Sequence, residues 1–136
     1  MAFARILVAV DGSEPSNRAL DKALERARLT GAEVAALAVE GPLPAYAATV
    51  GEVDEVKREK DVFFDRLASD VRSRADRAGV TIDVVIRAGP AFDLIQRLAR
   101  ENGADLIVLG RRSHSLRDQL LGSTAGRVVE HADCQS

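Results

Sequence analysis

A doubly wound α/β sandwich, Rossmann-like in plan, is the fold this sequence predicts, and three observations predict it. Apolar runs of strand length alternate with longer segments in which apolar residues recur every three or four positions, the signature of a parallel sheet covered by helices. Each of the first three helical segments stops at a glycine, Gly31, Gly79 and Gly103, a residue suited to the left-handed backbone past a helix end. The 136 residues, 46% hydrophobic and 29% charged with a formal net charge of -2, have the size and balance of one globular domain over residues 1–136 with an ordinary core.

The elements follow in order. The first strand is about Arg5 to Val10; the preceding Met1-Ala2-Phe3-Ala4 has no basic leading region and Asp11 follows at once, so the segment reads as a buried strand and not as a signal peptide. Ser13 caps a first helix that lines up Leu20, Ala23, Leu24 and Ala27 on one face. A second strand runs from about Glu33 to Val39. The stretch from Gly41 to Gly51 holds two prolines and no clean period, and is expected to be a loop riding over the carboxyl edge of the sheet. From about Glu52 to Ala78 a long amphipathic helix aligns Phe64, Leu67, Val71, Ala75 and Ala78, while its run of Glu and Lys residues makes a wet face. A third strand covers about Thr81 to Arg87, Pro90 opens a helix with Ala91, Leu94, Ile95, Leu98 and Ala99 inward, and Asp105 to Leu109 is a fourth strand. Val128, Val129 and Ala132 share the spacing of one helical face and predict a fourth helix.

The resulting βαβαβαβα order puts helices on both faces of a twisted sheet, and in such sheets ligands bind beyond the carboxyl ends of the strands, where the strand order reverses. If strands one and four are neighbours, Asp11 and the loop from Gly110 to Ser123 face one crevice. That loop carries small and hydrogen-bonding residues at both ends, Gly110 and then Gly122, Ser123 and Thr124, ahead of the predicted fourth helix. Backbone N–H groups there, with the positive end of the helix dipole, would form an anion cradle.

Several chemistries are disfavoured. The mildly acidic balance and the alternation of charges argue against a nucleic-acid surface. No apolar run approaches the roughly 18 to 20 residues that span a bilayer. Cys134, the only cysteine, excludes an internal disulfide and fits a reducing cytoplasm. Neither His114 nor His131 has a Cys, Asp or Glu at metal-ligand spacing on the same predicted face, so no metal site is expected, and Ser113 beside His114 lacks a third group to orient the imidazole. Neither a Gly-x-x-x-x-Gly-Lys loop nor a Gly-x-Gly-x-x-Gly fingerprint is present. Val10-Asp11-Gly12-Ser13 resembles the start of an aspartyl-phosphate hydrolase, but Ser13 stands where the second carboxylate is needed, so no catalytic residue is assigned.

The order and spacing of three fragments resemble the universal stress protein family across essentially the whole chain: Ile6-Leu7-Val8-Ala9-Val10-Asp11-Gly12-Ser13, then Ala104-Asp105-Leu106-Ile107-Val108-Leu109-Gly110, then Leu120-Leu121-Gly122-Ser123-Thr124-Ala125 with Arg127-Val128-Val129 and His131-Ala132. The resemblance implies an adenine nucleotide alpha hydrolase-like sheet of order 3-2-1-4-5, an ATP site with magnesium, and a homodimer. Carried over by position, it puts Val10, Asp11 and Val39 against adenine and ribose, and Gly110, Ser113, Gly122, Ser123 and Thr124 around ribose and phosphates, with Arg111, Arg112 and Arg117 adding charge. Each has a plainer alternative: Asp11 as a helix cap, Val39 as core, the arginines as solvated surface, and the glycines as turn residues.

Two departures stand out. ATP-binding members of the family carry a second glycine where this chain has Ser113, and eight residues, one fewer than the family pattern, separate Ser113 from Gly122. The chain also ends at Ser136 without the proline and apolar strand that follow in the family, so the fifth strand is expected to be absent and strand four to present an open edge, which puts homodimerisation by that route in doubt and leaves another dimer open. Three functions follow in order: a cytoplasmic stress-response regulator that binds ATP or another adenine nucleotide, with at most slow hydrolysis; a nucleotide-independent protein-interaction module; and, last, a nucleotidyl transferase or phosphatase on a similar sheet.

Overall fold

The structure, a computed structural model, describes residues 4–40, 50–110 and 128–131. Strand β1 (Arg5–Val10) is followed by helix α1 (Glu14–Thr30), β2 (Glu33–Glu40), α2 (Val50–Ala78), β3 (Ile82–Ala88), α3 (Ala91–Asn102), β4 (Leu106–Leu109) and β5 (Val128–His131). The strands form one parallel sheet in the order β3-β2-β1-β4-β5. β1 and β4 are neighbours, with Ile6 opposite Leu106 and Val8 opposite Val108, so the reversal of strand order falls between them.

Alternation along β1 divides the core into two layers. Ile6, Val8 and Val10 point to one face, where Leu20 and Leu24 of α1 and Leu67 and Val71 of α2 cover them. Leu7 points to the other, with Leu37, Ile107 and Leu109, under Leu94, Ile95 and Leu98 of α3. The inner faces expected from helical spacing are turned to the core in all three helices, with Phe64, Ala78 and Ala91 only partly buried, and Val56 and Ala68 add to that of α2.

Helix ends follow local chemistry. Ser13 is the N-cap of α1, its hydroxyl accepting the Ser16 N–H at 3.3 Å, and Gly31 at φ 74° closes the helix with its N–H on the Ala27 carbonyl. α2 begins at Val50, inside the segment expected to be loop; residues 41–49 of that segment lie outside the described residues. At the amino edge of the sheet Asp105 accepts the Ala4 N–H at 3.0 Å and the Arg5 N–H at 3.2 Å, and returns its own N–H to the Arg5 carbonyl at 3.0 Å, joining the starts of β1 and β4.

The fifth strand, expected to be absent, is present. Val128–His131 pairs parallel with β4 from Leu106 opposite Val128 to Leu109 opposite His131, so Val128 and Val129 lie in a strand and not in the expected fourth helix. The physical reason is twofold. All four residues of β4 are buried, and their open edge would leave backbone groups unpaired; adjacent β-branched valines suit a strand, and three apolar residues within five positions are too few to distinguish a period of 3.6.

Candidate functional site

At the carboxyl end of β1, beside that of β4, the backbone has to leave the sheet and enter α1, and the Asp11-Gly12-Ser13 turn does this with its own side chains. The Ser13 N–H donates to Asp11 Oδ1 at 2.8 Å, which fixes the turn, and Gly12 takes φ +83°, the left-handed region that a side chain would strain. The Asp11 N–H donates to Ser16 Oγ at 2.9 Å. Ser13, not Asp11, caps the helix, so the Asp11 carboxylate is held by one oxygen at an exposed rim; among the described residues its Oδ2 accepts no hydrogen bond.

Behind this rim lies a cavity of about 150 Å³. Its walls are Ala9 and Val10 of β1, Leu37 and Val39 of β2, Ala91 and Ile95 of α3, and Gly110 after β4; Asp11, Ser13, Pro15 and Ser16 complete the mouth. The lining is mainly hydrocarbon with a few polar groups to one side, the usual composition of a small-molecule site. An apolar cavity of this size accepts a benzene ring, so it can take one flat ring while the rest of a larger ligand stays outside.

The crevice therefore unites Val10, Asp11, Val39 and Gly110. Arg111, Arg112, Ser113, Arg117, Gly122, Ser123 and Thr124, and with them the anion cradle and the altered glycine pattern, lie outside the described residues, as do His114 and Cys134. Gly110 has a reason that neither the turn nor the phosphate reading supplied. A Cβ there would stand 3.1 Å from the Pro15 carbonyl carbon and oxygen and 3.2 Å from the Ser16 nitrogen, so a side chain at this position would require the first turn of α1 to move back by a few tenths of an ångström.

Pro15, Ser16, Ala91 and Ile95 also line the crevice and were not singled out as site residues. The signal available in the sequence was their position: each falls in the first turn or two of a helix that starts at the carboxyl edge. Among the described residues no group of three or more His, Cys, Asp or Glu side chains could hold a metal ion, and no helix is long and apolar enough to cross a membrane.

Comparison with known proteins gives the family to which this fold and crevice belong. The model of the family described as "Universal stress protein family" matches residues 2–135. The chain belongs to this family. Universal stress protein YxiE of Bacillus subtilis (strain 168) is 32% identical over 142 residues, covering 97% of this chain and 95% of its own. Among solved structures, a universal stress protein family member from Burkholderia pseudomallei superposes with a TM-score of 0.75 at 30% identity, covering 93% of this chain and 94% of its own. A universal stress protein solved in complex with cAMP superposes with a TM-score of 0.63 at 28% identity, covering 95% of each chain. The family resemblance noted in the sequence and its order 3-2-1-4-5 thus both hold, the latter including the strand expected to be missing.

Proposed function

We propose that this universal stress protein is a cytoplasmic, regulatory single-domain protein that binds an adenine nucleotide in the β1/β4 crevice and has at most slow hydrolytic activity. The apolar cavity behind Asp11 carries this reading: it has room for one ring, and a carboxylate oxygen stands at its mouth. The base would enter between Val39 of β2 and Ile95 of α3, while Asp11 Oδ2 would accept from a ribose hydroxyl. The phosphates would extend toward the residues after Gly110, where Arg111, Arg112, Ser113, Gly122, Ser123 and Thr124 are the proposed contacts. Magnesium would be held chiefly by the phosphates of ATP, since the described crevice offers one carboxylate, Asp11. The structure of a relative with cAMP supports adenine as the base.

The same scarcity of acid and base groups supports a regulatory role over a transferase or phosphatase. β5 also removes the ground for doubting the edge-strand route, and we include in the proposal a homodimer formed through its outer edge.

Isothermal titration with ATP and magnesium, AMP and cAMP tests the nucleotide reading. Saturable heat with a Kd on the order of 100 μM, about -5.5 kcal/mol, is expected. Ala91→Phe, which fills the cavity from the start of α3, should weaken binding at least about tenfold without changing the circular dichroism spectrum. No saturable heat at protein concentrations well above 100 μM, as an order of magnitude, overturns the reading and leaves the protein-interaction module.

A further inference from the structure

Ser16 is the one buried polar residue among the described side chains, 5% exposed, and it faces the cavity. Its Oγ accepts the Asp11 N–H at 2.9 Å, which uses one lone pair and positions the hydroxyl. Among the described residues the hydroxyl proton has no acceptor, although a buried donor is ordinarily satisfied. Of the described lining, Ala9, Leu37, Val39, Ala91 and Ile95 carry hydrocarbon side chains, and Asp11 Oδ1 and Ser13 Oγ already accept from the Ser13 and Ser16 N–H groups. Among the described residues this leaves the occupant of the cavity as the source of an acceptor for Ser16.

We propose that Ser16 is a specificity-determining residue, its hydroxyl donating to a ring nitrogen of the bound base. The inference rests on the nucleotide reading and deepens it. Asp11 is exposed at the rim and suits the sugar, whereas Ser16 is buried and meets the flat part of the ligand. A heteroaromatic ring with an acceptor nitrogen directed at the start of α1 satisfies the site; a ring of the same shape with C–H at that place leaves the hydroxyl unpaired in an apolar cavity.

Titration of the wild-type protein with AMP and with its 1-deaza, 3-deaza and 7-deaza analogues, each replacing one ring nitrogen by C–H, tests this without a mutation. One analogue should bind about tenfold more weakly than AMP and the other two within about twofold, the size expected for one buried hydrogen bond. In Ser16→Ala that gap should close, because AMP loses its donor as well. Equal affinities for all four ligands, or a gap of the same size in Ser16→Ala, overturn the role of Ser16 while leaving the nucleotide site standing. Absence of AMP binding overturns both, so the two failures are distinguishable. Where Ser16→Ala fails to fold for want of an acceptor for the Asp11 N–H, the wild-type panel decides alone.

Discussion

Gly110 is a residue whose identity is set by a neighbouring backbone. The three atoms nearest to a Cβ at this position belong to the peptide unit joining Pro15 and Ser16, at the start of a helix whose inner face is locked into the core, and backbone of that kind has little room to give. Gly110→Ala should therefore destabilise the fold by about 1 to 3 kcal/mol through overpacking, read as a lower urea midpoint at unchanged m-value. The turn before α1 has its own constraints in Gly12, at φ +83°, and in the three side chains Asp11, Ser13 and Ser16 that hold it. A loss below about 0.5 kcal/mol, the usual range of an uneventful surface change, would show that α1 can shift and that Gly110 is free to vary.

Between elements, the contact of α1 with α2 is mainly apolar, through Leu20, Leu24, Leu67 and Val71, and Arg74 adds a polar link at its edge. Its Nη1 lies 3.2 Å from Asp21 Oδ1 of α1, and its Nε lies 3.2 Å from Asp70 Oδ2 one turn earlier on α2. Burial works against the guanidinium charge, but the Asp70 and Asp21 carboxylates outweigh it and raise the Arg74 pKa further above its ordinary value. A base whose folded pKa is raised contributes stability that is lost only as pH rises through that pKa, which for arginine lies above the working range. The link should thus respond to salt and not to the titration of Arg74. A double-mutant cycle on Asp21→Asn and Arg74→Gln should give a coupling of about 0.2 to 1 kcal/mol at low salt, shrinking toward zero near 1 M. A coupling that persists at high salt would mean that the pair is more buried than its half-exposed side chains indicate.

For the molecule as a whole, the sheet has unequal edges. β3 is a seven-residue edge strand with Ile86 40% exposed, while the other edge is the four-residue β5, paired on one side to the fully buried β4. Exposed strand edges recruit partners, and a parallel sheet extended across a two-fold axis does so at identical edges. Sedimentation equilibrium should find a species of twice the 14.6 kDa chain mass. A mass that stays at one chain as concentration is raised overturns the dimer. The described lining of the proposed nucleotide site belongs to one chain, so ligand affinity should not depend on this association.

By itself the sequence determined the fold class, the bounds of β1, α1 and α3 to within a residue, the inner faces of three helices and the meeting of Asp11 and Gly110 at one crevice, to which the family resemblance added Val10 and Val39. These are local or pattern-borne properties: side-chain period, caps, glycine stops, and the rule that parallel sheets bind ligands at their carboxyl edge. α2, predicted from Glu52, starts at Val50 because no proline stands between Leu43-Pro44 and that point to stop a helix extending backwards. The tertiary structure alone decided the rest. Val128–His131 became a strand because β4 offered an edge that needed pairing, Gly110 came to lie tightly against the backbone at the start of α1, and Ser16 came to stand buried at a cavity with no acceptor for its proton among the described residues. None of these is written in a short window of sequence, since each depends on which distant backbone arrives beside it, and that is fixed only when the layers close.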